Sequence, residues 1–541
     1  MGNKNTIEDV CVNHLGWKKY IFAIFSSVFS FLQVMGSKIH LFQKPYFDTF
    51  GALDCLKIVV IAILIFLVSS VLYMWMEKYF YRKMIDGEAT VRRTYKGRCW
   101  LLSGLILISW LPWFLVFCPG GVSVDTLNSV RQAAGILPII NDNPVLHTIS
   151  LIPFIKIGFE VNNMNIGIAL YTIVQMLVLA IVFGFCIDVI ISRINRKVVK
   201  VLVVLFYTCN PVIAMFAITI IKDSSFSVFV FAFMIVLLRI VESKDYLNSR
   251  IGNTIFVLTI ILVAFSRVNG FLLIAAGLIP LALSLFRKRR PVWKVLLPLI
   301  LSGTILYGPL YDAIGISTPR ATTEALGVPL QQICYAVVTD GEIAKSDMEY
   351  IENNIMCKEA IIASFTPHTV DGIKFAKEYK ISAVNNSKWD FIRTWLNVMK
   401  TNKGAYLKAW LMETKGYYFI DYTRLPCTFF IEENEFNIHS EGLIDKLTGI
   451  PIQQYLSWFQ TRIARLCSIG AMMTIIWFCV CCIIANKKYS SLIVCSPIIG
   501  LWISLMIGTP IYGEFRYIYP AFLAMPLIIL LAKESFQRES I

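Results

Sequence analysis

The sequence predicts an all-α polytopic membrane protein with about twelve transmembrane helices and one mostly helical extracytoplasmic domain. Three observations lead there. The 541 residues are 57% hydrophobic and only 16% charged, and the mean hydropathy is +0.66; soluble chains hold about 45–50% apolar and about 25% charged residues. The apolar residues are gathered into long uncharged runs. The basic residues fall between those runs. Together these exclude an ordinary soluble protein, a disordered chain and a nucleic-acid-binding module. The net charge of +15 reads as membrane orientation, with no nucleic-acid partner.

A hydrocarbon core of about 30 Å needs roughly 20 apolar residues as helix. Runs of that kind occur at 18–36, 57–76, 100–117, 166–191, 199–220, 224–241, 251–266, 270–286, 294–312, 463–485, 490–508 and 517–532. The first follows a flank of mixed charge with no small-residue cleavage site, so it reads as a span and not as a cleaved signal. Lys and Arg mark the cytoplasmic side. Placing the basic loops 77–99, 192–200 and 286–294 inside, with both termini, leaves 26 Lys and Arg in inner segments against 8 in the short outer loops. The run 145–159 is shorter and holds Pro153 and Lys156. It is expected to lie along the outer surface, since a crossing there would turn every later basic loop outward.

The chain therefore divides into a membrane domain at 1–312 with an outer-surface loop at 118–165, an extracytoplasmic domain at 313–462, and C-terminal membrane helices at 463–541. The middle part holds 15 basic and 17 acidic residues, the balance of a solvated unit. Within it, Phe391, Trp395, Val398, Met399 and Trp410 recur at loose helical spacing over Ser387–Thr414. Cys186, Cys209, Cys479, Cys481 and Cys482 lie in apolar runs and read as small hydrophobes. Cys334, Cys357 and Cys427 are expected outside, where three thiols allow at most one bridge.

The middles of the runs hold no Asp, Glu, Lys or Arg; Gln175 and Asn210-Pro211 are the polar exceptions. Charges gather instead at outer helix ends: Asp125, Lys222 with Asp223, Arg267, and Glu514 with Arg516. A transporter normally keeps a polar residue near the midplane, so this pattern favours a site at the outer face. The segment after the third run is the richest. Pro119, Gly120 and Gly121 break the helix as it leaves the membrane and turn the chain along the surface. Asp142 and His147 mark the start of the second surface helix, with Asp142 or Asn143 as its N-cap.

These residues resemble the first outer loop of GT-C-type integral-membrane glycosyltransferases. Over about 110–520 the chain is similar to an uncharacterised bacterial polytopic membrane family related to them. The shared marks are Trp110-Leu111-Pro112, Pro119-Gly120 with Asp125, Asn141-Asp142-Asn143-Pro144, Ile221-Lys222-Asp223, Arg267-Val268-Asn269-Gly270, Glu324 through Gln331-Gln332, and Glu514-Phe515-Arg516-Tyr517. Asn143 stands where a His is expected, and Tyr335 where an Arg is expected. The resemblance implies a polyprenyl-phosphate-linked sugar donor and a cell-envelope glycan or lipid-linked acceptor. Asp125 and Asp142 become the catalytic carboxylates, and Lys222, Arg267 and Arg516 the donor-phosphate ligands. Asp223, Asn269, Glu514 and His147 support them. No cofactor is assigned; a divalent metal is compatible with such chemistry, but no ligand set for one is read.

The competing structural readings are specific. Asp125 caps a surface helix, Lys222 snorkels with Asp223 as its ion-pair partner, Glu514 and Arg516 pair only with each other, and Gln331-Gln332 packs the outer domain on the membrane part. The rival functions are a flippase or exporter of lipid-linked saccharide, a glycan ligase or polymerase, and a non-catalytic membrane assembly protein.

The orientation is tested by cysteine accessibility in intact cells. An impermeant maleimide should label a Glu433→Cys variant above the parent's background and leave Glu88→Cys at that background. The reverse result would turn the molecule over.

Overall fold

The computed structural model describes residues 15–40, 46–85, 97–140, 143–243, 245–267, 269–288, 291–307, 313, 315–316, 326–421, 431–464, 467–508 and 511–537. The chain opens with α1 (Lys18–Ser37), a two-residue antiparallel ladder of β1 (Ile39–His40) with β2 (Tyr46–Phe47), and α2 (Ala52–Ile85). Then come α3 (Cys99–Val116), α4 (Val124–Ala133), α5 (Val145–Glu160), α6 (Met164–Ser192), α7 (Lys197–Thr208), α8 (Pro211–Ile218), α9 (Lys222–Glu242), α10 (Arg250–Ser266), α11 (Gly270–Arg287) and α12 (Trp293–Tyr307). The middle part holds α13 (Gly327–Val338), α14 (Lys345–Asn354), α15 (Lys358–Ser364), α16 (Asp371–Lys374), α17 (Ile381–Asn386), α18 (Lys388–Thr401), α19 (Lys403–Thr414), α20 (Leu443–Thr448) and α21 (Ile452–Ala464). The chain ends in α22 (Ile469–Ala485), α23 (Tyr489–Gly508) and α24 (Phe515–Ser535).

Among the described residues nine helices are long and apolar enough to cross a membrane, which makes this a multi-pass helical membrane protein. The three other predicted spans form shorter helices: α10, α12 and α22. The span expected at 199–220 is two helices, because Asn210 and Pro211 end one and begin the next. The Asn210 side chain accepts a hydrogen bond from Val212 N at 3.0 Å, so this polar exception is a cap. Asn402 likewise divides the helix expected over Ser387–Thr414 into α18 and α19.

The helix α9 is apolar all round and buried along almost its whole length, from Phe226 to Leu238. It packs against α6, α10, α11, α23 and α24. The packing of α3 on α6 depends on Gly184, where an added Cβ would run into Ser103 and the carbonyl of Cys99. At the end of the bundle that the basic loops mark as inner, Arg193 lies between Glu242 of α9 and Glu534 of α24. Its Nη2 is 2.5 Å from Glu534 Oε2, and its Nη1 also bonds Glu242.

The middle part is not one packed body. Residues of α13–α19 share a core of their own around Ile333, Ile351, Ile373, Phe391 and Val398. By contrast, Ile431, Phe436 and Ile438 pack with Val122, Leu127, Leu151 and Ile155 of the outer loop. All described cysteines, Cys334 and Cys357 among them, are free thiols; Cys427 lies outside the described residues.

Removing the shared cation should be costly. Arg193→Ala should lower stability by about 3–5 kcal/mol, the usual effect of breaking a buried pair. Arg193→Lys should lose less, keeping the charge without the planar fork. Thermal unfolding in detergent solution, followed by intrinsic fluorescence, makes the comparison; an Arg193→Ala protein melting with the parent would refute the clamp.

Candidate functional site at the outer helix ends

Asp125 is placed by a turn that is tied to its neighbours through its backbone. After α3, Gly120 adopts φ +129°, which favours glycine, and an added Cβ there would meet Thr172 Oγ1 at 2.6 Å. Gly121 then pairs with the extended residues after α8: its N–H donates to Ile218 O at 3.0 Å and its carbonyl accepts from Ile220 N at 2.8 Å. Gln175 of α6 donates to Ala217 O and Thr219 O, both at 2.9 Å. The second polar exception of the apolar runs is therefore a brace for non-helical backbone, which is tolerated at such depth only inside protein.

The N-cap of α4 is Ser123, not Asp125. Ser123 and Thr126 exchange side-chain and backbone hydrogen bonds in a capping box, and Thr126 Oγ1 also donates to Ile220 O. Asp125 is left free in the first turn, where the helix dipole favours a carboxylate. The capping role is overturned because Ser123, two positions before Asp125, already fills it.

The partner of Asp125 comes from the other end of the chain. Arg516, in the first turn of α24, donates from Nη1 to Asp125 Oδ2 at 2.8 Å. Its Nε is 3.7 Å from Glu514 Oε2 and, though buried, has no hydrogen-bond acceptor among the described residues. The expectation that Glu514 and Arg516 pair only with each other therefore fails. The fully buried Asp223 faces Arg267, with Oδ1 2.9 Å from Nη1, so its charge is answered from another helix as well as by its neighbour in sequence. Arg267 caps the end of α10, and its guanidinium carbon is 4.3 Å from the centre of the Tyr517 ring. Arg516 stands 5.1 Å from the same ring. Tyr517, which motif reading left without a role, is thus a cation–π platform for two arginines.

Lys222 opens α9 and reaches Asn143 Oδ1 at 3.4 Å. Asn143 is consequently not the cap of α5; Pro144 occupies that position with no side-chain cap. Asp142 lies outside the described residues. His147 is buried in the first turn of α5, with Nδ1 3.5 Å from the Tyr171 hydroxyl. Asn269 is exposed at the turn into α11, and its side chain does not cap that helix. Gln331 donates to Thr366 O at 2.6 Å, on the loop whose Thr369 pairs with Ile511 just before Glu514. Gln332 instead bonds Tyr406 O and Trp395 within the outer domain.

The electrostatics follow from this convergence. Burial works against the Asp125 charge, but Lys222 and Arg516 outweigh it and hold the carboxyl below its ordinary range. Burial, reinforced by Lys222, pushes His147 down to about 4, against a smaller opposite pull from Asp125. The site therefore pairs an ionised carboxylate with a neutral imidazole, and three cations with Asp125, Asp223 and Glu514. Among the described residues no group of three or more His, Cys, Asp or Glu side chains is arranged to hold a metal.

A second clasp escaped the motif reading altogether. Glu441 N donates to Cys118 O at 2.7 Å, and Asn165 Nδ2 donates to Glu441 Oε1 at 2.9 Å. Arg131 grips Glu435 with Nε–Oε1 at 2.5 Å and Nη2–Oε2 at 2.9 Å. Its signal in the sequence is the acidic stretch 432–445, with Glu432, Glu433, Glu435, Glu441 and Asp445.

A model described as a family of unknown function (DUF6020) matches residues 136–540. The match takes in His147, Lys222, Asp223, Arg267, Glu514 and Arg516; Asp125 precedes it. No curated protein and no solved structure matches the chain.

His147 sets an acid limit. Its folded-state value lies below the ordinary 6.5, so the unfolded chain binds its proton first as pH falls. Stability should be full above about pH 6.5 and decline toward pH 4, by on the order of 3 kcal/mol. Unfolding midpoints between pH 7 and 5 should fall less steeply for His147→Gln than for the parent; parallel slopes would show that His147 does not contribute.

Proposed function

The chain belongs to the DUF6020 family of unknown function, and we propose that it is a membrane glycosyltransferase. It would move a sugar from a polyprenyl-phosphate donor to a cell-envelope glycan or lipid-linked acceptor at the outer membrane face. The observation that carries the reading is the meeting of Asp125 and Arg516 at 2.8 Å, with Lys222 close enough to act on the same carboxyl. Asp125 thus stands among cations at the ends of membrane helices, where the phosphate of a lipid-linked donor would lie.

The reaction is a single displacement. The acceptor oxygen forms a bond to the anomeric carbon while the bond from that carbon to the phosphate oxygen breaks. The lipid phosphate leaves with the electron pair, and the hydroxyl proton passes to Asp125. Negative charge grows on the phosphate, so Arg267, Arg516 and Lys222 stabilise the transition state more than the ground state. A single displacement of this kind inverts the anomeric centre.

The ion pair gives the donor a second effect. While Arg516 holds Asp125, the carboxylate is a weak base. The Nε of Arg516, which has no hydrogen-bond acceptor among the described residues, is a donor for a phosphate oxygen. As Arg516 turns to the phosphate, its hold on Asp125 relaxes and the carboxylate becomes more basic. Donor binding thereby arms the base.

Purified protein with a polyprenyl-phosphate-sugar tests this. Asp125→Asn should cut turnover by about 10²–10⁴, the usual contribution of a general base, and leave donor binding intact. Near-normal turnover in folded Asp125→Asn protein would remove Asp125 from the chemistry. Arg267→Ala should weaken donor binding and slow transfer, and Arg267→Lys should restore neither fully, because lysine lacks the planar fork. Full rescue by lysine would make Arg267 a simple interfacial anchor.

A further inference from the structure

We propose that α21 is an in-plane membrane helix that docks on the headgroup region of an anionic bilayer through Tyr455, Trp458 and Phe459. The proposal stands apart from the transferase reading. At 13 residues α21 is about 20 Å long, too short to cross a bilayer. Its side chains divide by helical position. Ile452, Leu456 and Ile463 pack on the membrane core. Gln453, Gln454 and Ser457 form the polar arc. Tyr455, Trp458 and Phe459 fill the arc between them and are 62%, 59% and 44% exposed. Three neighbouring aromatic side chains are thus left uncovered beside the stripe that grips the protein.

The occupant is identified by where the helix sits. The preceding helix, α20, packs on α3, a candidate span. Glu441, two residues before α20, bonds the carbonyl of Cys118, two residues after α3 ends. The α20–α21 pair therefore stands at the level where α3 leaves the membrane. Four residues after α21 the chain enters the apolar helix α22. Leu447 and Ile450, before α21, are exposed at 85% and 52%. The charge agrees: residues 449–468 contain Arg462 and Arg465 and no acidic residue. The Arg462 guanidinium lies 4.9 Å from the Trp458 ring, putting a cation beside the aromatic that would enter the interface. Trp, Tyr and Phe with Arg are the composition of interfacial helices.

The test uses the full chain reconstituted in vesicles of phosphatidylethanolamine and phosphatidylglycerol. The emission of Trp458 is taken as the difference between the parent and Trp458→Phe. Lipids brominated near the top of the acyl chain should quench that emission by a factor of about two or more. Lipids brominated near the chain end should quench it less, and aqueous acrylamide should barely reach it. Quenching by acrylamide but not by bromine would place the helix in water and overturn the proposal. Insensitivity to all three would mean that protein, such as a second copy of the chain, covers the face, and would overturn it equally. Stronger quenching by the deep bromine would exclude an interfacial position.

Discussion

A helix enclosed by protein on every side cannot hydrate charges at its ends, and α9 is such a helix. Apolar packing from Phe226 to Leu238 fixes it at the centre of the bundle, yet it begins with Lys222-Asp223 and ends with Glu242. Those charges must find partners on its neighbours, because an uncompensated buried charge costs several kcal/mol. The neighbours supply them: α10 ends in Arg267 for Asp223, and α6 ends in Arg193 for Glu242. The last helix, α24, contributes at both levels, with Arg516 beside the outer group and Glu534 on Arg193. The polar clusters at the two ends thus follow from one buried helix, and they fix the register of the helices around it.

The outer cluster is shaped further by backbone that cannot be helical. The break at Thr219 leaves peptide groups in need of partners within protein. Gly121, Gln175 and Thr126 meet that need. In doing so they bring α4 against the start of α9, and Asp125 is carried to the cations as a result. The carboxylate's position therefore depends on hydrogen bonds that are themselves far from any chemistry.

Much of this was legible from the residues. Apolar run length and the bias of Lys and Arg exposed the helices, and the emptiness of the run centres pointed to their outer ends. Asp125, Lys222, Arg267 and Arg516 do meet, at one end of the bundle. What could not be read was who pairs with whom. Adjacent opposite charges such as Lys222-Asp223 invite a local pairing, but successive helix positions point about 100° apart, so Asp223 also reaches another helix. Asp125 and Arg516 are 391 positions apart, a distance over which periodicity carries no information. Helix length was misjudged where capping decides it: hydropathy runs smoothly through Asn210, but its side chain ends one helix and starts another. The clasp of 431–441 on the outer loop was invisible because a loop with no period can pack anywhere.

The separation of Asp125 from Arg516 also has a meaning in time. A ribosome adds about 5–20 residues per second, so roughly 20–80 s pass between the synthesis of the carboxylate and that of its guanidinium. Asp223 waits only until α10 is complete. During biogenesis the loop at 118–165 therefore stays without its final ionic tie through the assembly of nearly the whole molecule. The same late helix brings Glu534 to Arg193. Completion of α24 is thus the event that closes both ends of the bundle, and a chain halted before it would sit in the bilayer as an open assembly whose unpaired charges expose it to quality-control proteases.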